Sequence, residues 1–250
     1  MQAMLRGYNN HSYGYGDPLN LIWLTPAKGT GLSSYSLSIL ALSFGQTPVM
    51  ASQALTIPQG EITCLLGRSG VGKTTLLKVL AGIFPSPPET RNPKPETVTY
   101  HPQQDCLLPW CTALENVLFA ARLKARRTTQ EQQSIALTLL AQVGLADYAH
   151  HRPAQLSGGM RQRVALARTL FQDTPLVLMD EPFSALDYTT RTELHALTKR
   201  LLQGKTVLVV THDPFEALTL GTHFLLLEGS PAVLNPLRRA DIQQMLQGAA

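Results

Sequence analysis

Four short apolar runs organise the chain: "ITCLL" (62–66), "PLVLM" (175–179), "TVLVV" (206–210) and "FLLLE" (224–228). None alternates with polar residues, which is the pattern of strands buried on both faces of a parallel sheet. Helical stretches separate them, so the pattern predicts an α/β domain with a mostly parallel sheet. From "YSLSILALSF" (35–44) onward further short β-like runs precede the first of the four. Between about 104 and 157 the strand signal stops. There Thr112 and Glu115 form a T-x-x-E capping box ahead of a stripe made by Leu114, Val117, Leu118 and Ala121. A second box, Thr128 with Glu131, opens a helix carrying Ile135 and Leu139, and Gly144 is placed to stop it. The α/β domain therefore carries an inserted helical subdomain.

The flanks carry less. Residues 1–34 show no sustained periodicity beyond a short apolar patch around Trp23, and they are expected to form an extension ahead of the domain at 35–235. Prolines 85, 87, 88, 93 and 95 make 83–97 a turn-rich connector. The tail at 236–250 has room for one short helix.

Composition narrows the class. The chain has 250 residues, 44% hydrophobic and 15% charged, with a net charge of +4. That balance is spread along the chain and gives no reason to expect a nucleic-acid surface. Cys64, Cys106 and Cys111 are an odd set without disulfide or zinc spacing. No apolar run approaches the roughly 18–20 residues that cross a bilayer, so the expected place is the cytoplasm, with a membrane reached only through a partner.

The chemistry lies in the loops after the strands. "GRSGVGKT" (67–74) matches G-x-x-x-x-G-K-[ST] between a strand and a helix. Gly67, Gly70 and Gly72 permit a loop whose N–H groups, with those of Arg68, Ser69 and Thr75, wrap phosphates. Lys73 neutralises phosphate charge and the Thr74 hydroxyl reaches Mg²⁺. "LVLMDE" (176–181) ends a buried strand in two carboxylates: Asp180 is placed for the metal's shell and Glu181 to orient or deprotonate a water in line with the γ-phosphate. His212 follows the next strand, at the sheet end where α/β folds bind ligands. "LSGGMRQR" (156–163) is a second anion cradle, with Ser157, Gly158 and Gly159 opening a helix. It lies 84 residues after Lys73.

Together "GRSGVGKTT", "LSGGMRQR", "LVLMDEP" and "SALD", with His212 downstream, resemble the nucleotide-binding subunit of an ABC transporter over about residues 35–230. The resemblance implies a P-loop ATPase core with an antiparallel β part, ATP and Mg²⁺ as ligands, and a head-to-tail homodimer in which the LSGG segment of each copy covers the nucleotide on the P-loop of the other. Two cradles would then serve one ATP from different chains. It further implies that Phe44 stacks on adenine, unless it is a core phenylalanine, and that Asp187 signals across the dimer. Gln103 would reach Mg²⁺ and the water, with Gln104 beside it as the alternative register.

"LLPW", Leu107 to Trp110 with Pro109 between, resembles importers of nitrate, sulfonates and taurine, whose helical subdomain meets a membrane permease served by a solute-binding protein. Trp110 is either that rigid anchor or a packing residue inside the helical subdomain. The expected role is an ATPase on the cytoplasmic face of the membrane, powering uptake of a small solute. The rivals are the ATPase of an exporter or lipoprotein-releasing system and a soluble ABC protein of translation or repair. Three departures from the family pattern stand out: only 30 residues separate Lys73 from Gln103, Pro102 replaces an aromatic, and Met160 stands where many members have Gln.

Overall fold

The four apolar runs are strands, and a parallel sheet gathers them. The computed structural model describes residues 21–24, 34–39, 42–44, 47–83, 98–125, 127–184 and 186–248. In chain order these form β1 (Leu21–Leu24), β2 (Ser34–Ile39), β3 (Leu42–Phe44), β4 (Thr47–Met50), β5 (Gln53–Pro58), β6 (Ile62–Leu66) and α1 (Lys73–Leu80). Next come β7 (Val98–His101), α2 (Ala113–Val117), α3 (Phe119–Ala125), α4 (Gln130–Gln142) and two 3-10 turns at Ala146–Tyr148 and Pro153–Gln155. The chain continues through α5 (Gly158–Phe171), β8 (Leu176–Asp180), α6 (Tyr188–Leu201), β9 (Thr206–Val210), α7 (Pro214–Leu220), β10 (His223–Gly229), β11 (Ala232–Leu237) and α8 (Arg239–Gly248).

The larger sheet has the order β3-β4-β11-β10-β6-β9-β8-β7, and its stretch from β10 to β7 is parallel throughout. A second, antiparallel sheet has the order β1-β2-β5. All five residues of β6, β8 and β9 are buried. Alternation along these strands divides their side chains between two cores. Cys64, Leu66, Val177, Met179, Val207 and Val209 face the helical layer of α2, α4 and α5. Leu65, Leu176, Leu178, Leu208 and Val210 face α1 and β5.

Three boundaries differ from the sequence reading. The patch around Trp23 is a strand, β1, paired antiparallel with β2, so the segment read as an extension contributes to the smaller sheet. β11 runs through residue 235 to Leu237, because it pairs along the whole of β10, and the expected tail helix starts only at Arg239. β7, which carries no long apolar run, joins the sheet at its edge beside β8. The proline-rich residues 84–97 and residues 1–20 lie outside the described residues.

The helical subdomain spans the expected segment with two local shifts. Thr112 and Glu115 do form a reciprocal capping box, but the helix behind them breaks at Leu118 into α2 and α3. The second box is Thr129 with Gln132 rather than Thr128 with Glu131. Either threonine can cap, and Gln serves as well as Glu at the third position. Along this helix Ile135 is exposed, Leu139 is half-buried against the core, and Ala136 and Leu140 are buried. Gly144 ends that helix at φ +75°, a conformation only glycine adopts freely.

α7 is held tightly to the sheet at its C-terminal cap, Gly221. A Cβ there would meet Cys64 Sγ at 2.7 Å, Phe224 Cε1 at 2.8 Å and the Ala217 carbonyl oxygen at 3.0 Å. Gly221→Ala should therefore destabilise the fold by about 1–3 kcal/mol through overpacking. Thermal unfolding should show a midpoint several degrees lower, at about 2–4 °C per kcal/mol for a domain of this size. An unchanged midpoint would mean that the junction can yield.

Candidate active site

The P-loop connects the end of β6 to the start of α1. Its path depends on glycine at two kinds of position. A Cβ on Gly67 would lie 2.6 Å from the Leu227 carbonyl oxygen, so the loop passes too close to β10 for any side chain. Gly72, at φ +108°, is the N-cap of α1 and supplies no capping side chain. The N–H groups of Lys73, Thr74 and Thr75 are thus left without intrahelical partners at the positive end of the helix. Arg68, Ser69 and Gly70 form the exposed crest. This arrangement suits a polyphosphate.

Lys73 folds back over the loop. Its Nζ donates to the carbonyl oxygens of Gly67 at 2.8 Å and Arg68 at 2.9 Å, and the residue is 4% exposed. Burial pulls its pKa below the ordinary lysine value, while the carboxylates of Glu181 and Asp180 oppose that shift.

Asp180, the last residue of β8, is buried, and each of its oxygens has a donor. The Thr74 hydroxyl donates to Oδ1 at 2.9 Å and the Tyr100 hydroxyl donates to Oδ2 at 2.9 Å. Burial, followed by the hydrogen bond to Asp180, pushes the Tyr100 phenol up, so it stays a donor. Glu181 then turns the chain at φ +42°, in the left-handed region that a side chain rarely adopts. Its N–H donates to the Val210 carbonyl oxygen at 2.9 Å, which ties the turn to the end of β9. In that conformation Glu181 Oε2 lies 3.0 Å from His212 Nδ1 and Oε1 lies 3.9 Å from Lys73 Nζ. The carboxylate can only accept, so His212 donates from Nδ1, and its Nε2 has no hydrogen-bond partner among the described residues.

Gln103, not Gln104, joins this group: its Nε2 donates to Ser184 Oγ at 3.1 Å, and Ser184 Oγ donates to the Glu181 carbonyl oxygen at 3.1 Å. Behind His212, burial pushes the carboxyl of Glu216 up to about 8. Thr211 Oγ1 accepts from the Asp213 N–H at 3.0 Å, fixing the backbone on both sides of His212.

The second cradle stays apart. Ser157 N-caps α5, its Oγ accepting from the Met160 N–H at 3.2 Å. Ser157 and Gly158 are exposed and share no hydrogen bond with the P-loop among the described residues. Gly159 packs against the start of α6, where a Cβ would come within 2.6 Å of Thr190 Cγ2. Asp187 caps α6 by accepting from the Thr190 N–H at 3.0 Å, a bond that holds its carboxyl below the usual range. One chain therefore unites Lys73, Thr74, Gln103, Asp180, Glu181 and His212, and leaves Ser157 and Gly158 exposed, with Gly159 against α6. Phe44 ends β3, its backbone opposite Thr47, and its side chain lies outside the described residues.

The "LLPW" loop is fastened from below. Buried Asn116 accepts from the Leu108 N–H at 2.8 Å and donates to the carbonyl oxygens of Leu108, Cys111 and Thr112. Leu107 and Leu108 are half-buried, while Pro109 is exposed and Trp110 is 68% exposed, so Trp110 does not pack inside the helical subdomain. Arg161 Nε donates to Asp105 Oδ2 at 3.0 Å, and Arg168 donates to the carbonyl oxygens of Asp105 at 2.6 Å and Cys106 at 2.8 Å. These arginines tie α5 to the segment between Gln103 and Trp110. Sequence reasoning did not assign Tyr100, Ser184, Asn116 or Arg168. Ser184 opens "SALD", Tyr100 stands three residues before Gln103 and Asn116 follows the Thr112–Glu115 box, yet no local spacing marks what they contact.

Comparison with known proteins gives a consistent family. The ABC transporter family model matches residues 51–184. An uncharacterized ABC transporter ATP-binding protein of Haemophilus influenzae is 43% identical over 197 residues, covering 75% of this chain and 79% of its own. An aliphatic sulfonates import ATP-binding protein of Xanthomonas axonopodis pv. citri is 38% identical over 219 residues, covering 84% of this chain and 87% of its own. A solved dimeric ATP-binding cassette, in a post-hydrolysis state bound to ADP and Pi, aligns with a TM-score of 0.65 at 30% identity, covering 88% of this chain and 98% of that one.

Proposed function

This chain belongs to the ABC transporter family as an ATP-hydrolysing subunit, and from that premise we propose that it powers import of an aliphatic sulfonate or a related small solute, such as nitrate or taurine, through a membrane permease. The observation that carries the ATPase chemistry is the convergence of Lys73, Asp180, Glu181 and His212 at the ends of β6, β8 and β9. Lys73 and the open N–H groups of α1 hold the β- and γ-phosphates. Glu181 takes or orients the proton of a water in line with the γ-phosphate, and His212, in the imidazolium form in which both ring nitrogens carry hydrogens, donates from Nδ1 to Glu181 and from Nε2 to the same phosphate.

The oxygen donors present fit Mg²⁺. Thr74 Oγ1 and Asp180 Oδ1 meet at 2.9 Å, and Gln103, linked through Ser184 to the backbone carbonyl of Glu181, is the third oxygen donor proposed for the cation. Among the described residues no cluster of three or more His, Cys, Asp or Glu offers an all-protein cage. A cation that keeps its waters and shares substrate phosphates needs only one or two protein groups. When bound, Mg²⁺ neutralises charge on the β- and γ-phosphate oxygens.

Ser157 and Gly158, which are exposed, and Gly159 beside them are proposed to complete the site of a second copy in a head-to-tail homodimer, with Asp187 at the same interface. A two-fold axis makes two such composite sites at once. ATP then holds the dimer together and hydrolysis releases it.

No described helix is long and apolar enough to cross a membrane. Membrane contact is proposed to run through the permease, on its cytoplasmic side, with a solute-binding protein delivering the cargo. Pro109 and Trp110, presented by the Asn116-fastened loop, support that docking. Trp110→Ala should leave ATPase activity of the isolated protein unchanged and weaken permease association by about 30-fold, the effect of losing a hot spot of about 2 kcal/mol. Co-purification from native membranes, with partners identified by mass spectrometry, tests both points. Recovery of a sulfonate-, nitrate- or taurine-type permease by the wild type and its loss in the variant are expected. Capture of an exporter, ribosomes or repair proteins would overturn the import reading.

A further inference from the structure

Asp180 is held from two sides by elements far apart in sequence. Thr74 reaches Oδ1 from the first turn of α1, and Tyr100 reaches Oδ2 from the edge strand β7. The strand register makes the second contact: Tyr100 lies beside Leu178 in the parallel β7–β8 pair, and Asp180 is two residues further along the same face. The Tyr100 ring is partly buried against the α1 side of the sheet, so the phenol is aimed by packing rather than by its hydrogen bond alone.

We propose that Tyr100 is a positioning residue that presets Asp180 for the divalent cation of the ATP site. The inference rests on the reading of Asp180 and Thr74 as the groups that hold that cation.

Three features of the geometry support it. The two donors occupy different oxygens, so the Thr74 contact at Oδ1 can exchange when a cation arrives while the Tyr100 contact at Oδ2 persists. The donor is neutral: an ammonium or guanidinium at the same place would cancel the charge that attracts the cation, whereas a phenol orients the carboxylate and leaves its charge intact. Asp180 is 2% exposed, so without Tyr100 the Oδ2 atom would lose its partner in a place where water has little access. Ordering the carboxylate before the ligand arrives removes a conformational cost from binding. Partners of this kind typically change metal affinity by about 10–100-fold.

The test is Tyr100→Phe in the full chain, which keeps the ring and removes only the hydroxyl. Binding of ATP is measured by titration calorimetry in EDTA and again with Mg²⁺. Mn²⁺, as a paramagnetic stand-in, is titrated into the ATP-bound protein and followed by electron paramagnetic resonance. Expected are ATP affinity in EDTA within about 2-fold of wild type and Mn²⁺ affinity about 10-fold weaker. The Mg²⁺ concentration for half-maximal ATP hydrolysis should rise in parallel, with kcat at saturating Mg²⁺ within a few-fold of wild type.

Unchanged Mn²⁺ affinity overturns the proposal. So does an equal loss of ATP binding with and without metal, which is what a purely structural role would produce. Tyr100→Leu, which also removes the ring, should lower the thermal midpoint while showing the same selective loss of metal affinity; metal binding at the wild-type level in that variant also overturns the proposal. Asp180→Asn run alongside separates the two assignments: wild-type Mn²⁺ affinity in that variant means that the underlying reading of Asp180 has failed, whatever Tyr100→Phe does.

Discussion

Glu181→Gln is expected to lower kcat for ATP hydrolysis by about 10²–10⁴-fold, the range that a positioned general base contributes, while ATP still binds. The substitution keeps the shape of the side chain and can still bond His212, but it removes the negative charge that would accept a proton from water. Neither the P-loop glycines nor the contacts of Lys73 with the Gly67 and Arg68 carbonyl oxygens depend on that charge. Binding should even tighten slightly, because a carboxylate 3.9 Å from the phosphate-binding ammonium is gone. With ATP bound and uncut, the protein should elute as a dimer in size-exclusion chromatography with ATP and as a monomer without it. Turnover within 10-fold of wild type would remove Glu181 from its proposed role. A monomer in saturating ATP would instead contradict the two-chain site built on Ser157–Gly159.

Lys73→Ala should act one step earlier, by reducing ATP affinity. A charged hydrogen bond is worth about 1.5–3 kcal/mol, so the dissociation constant should rise by about 10–150-fold. Loss of the ammonium also leaves Glu181 and Asp180 without the cation that opposes their repulsion of an incoming triphosphate. Nucleotide-free stability should change little, since the burial of the Lys73 charge is itself unfavourable and offsets its two backbone bonds. Titration calorimetry and a thermal melt without nucleotide check these separately. ATP affinity within about 3-fold of wild type would show that the loop amides alone hold the phosphates.

Several parts of this site depend on neighbours in the chain and were therefore legible in one dimension. The P-loop is one continuous stretch whose glycines, lysine and threonine must follow one another to wrap a phosphate. Asp180 and Glu181 end a strand whose unbroken apolar run marks it as buried on both faces. Ser157 and Asp187 each cap a helix, and the capping bond spans only three residues. The second capping box slipped by one position because two adjacent threonines satisfy the same local rule. Packing, not the cap, turns Ala136 and Leu140 of α4 fully inward, with Leu139 half-buried beside them and Ile135 exposed. Sequence pattern alone cannot choose between faces one residue apart when both carry apolar side chains.

The sequence by itself determined the four core strands and the helical segment set between them, the phosphate loop, the carboxylate pair and the two separate cradles, because each follows from local spacing and local sterics. The tertiary structure decided which of these meet. Strand register brings Tyr100 to Asp180 across 80 positions, the turn at Glu181 aims one carboxylate at both His212 and Lys73, and Asn116 holds Trp110 in the open. Hydrogen bonds act over about 3 Å, and only the folded chain brings such distant residues that close.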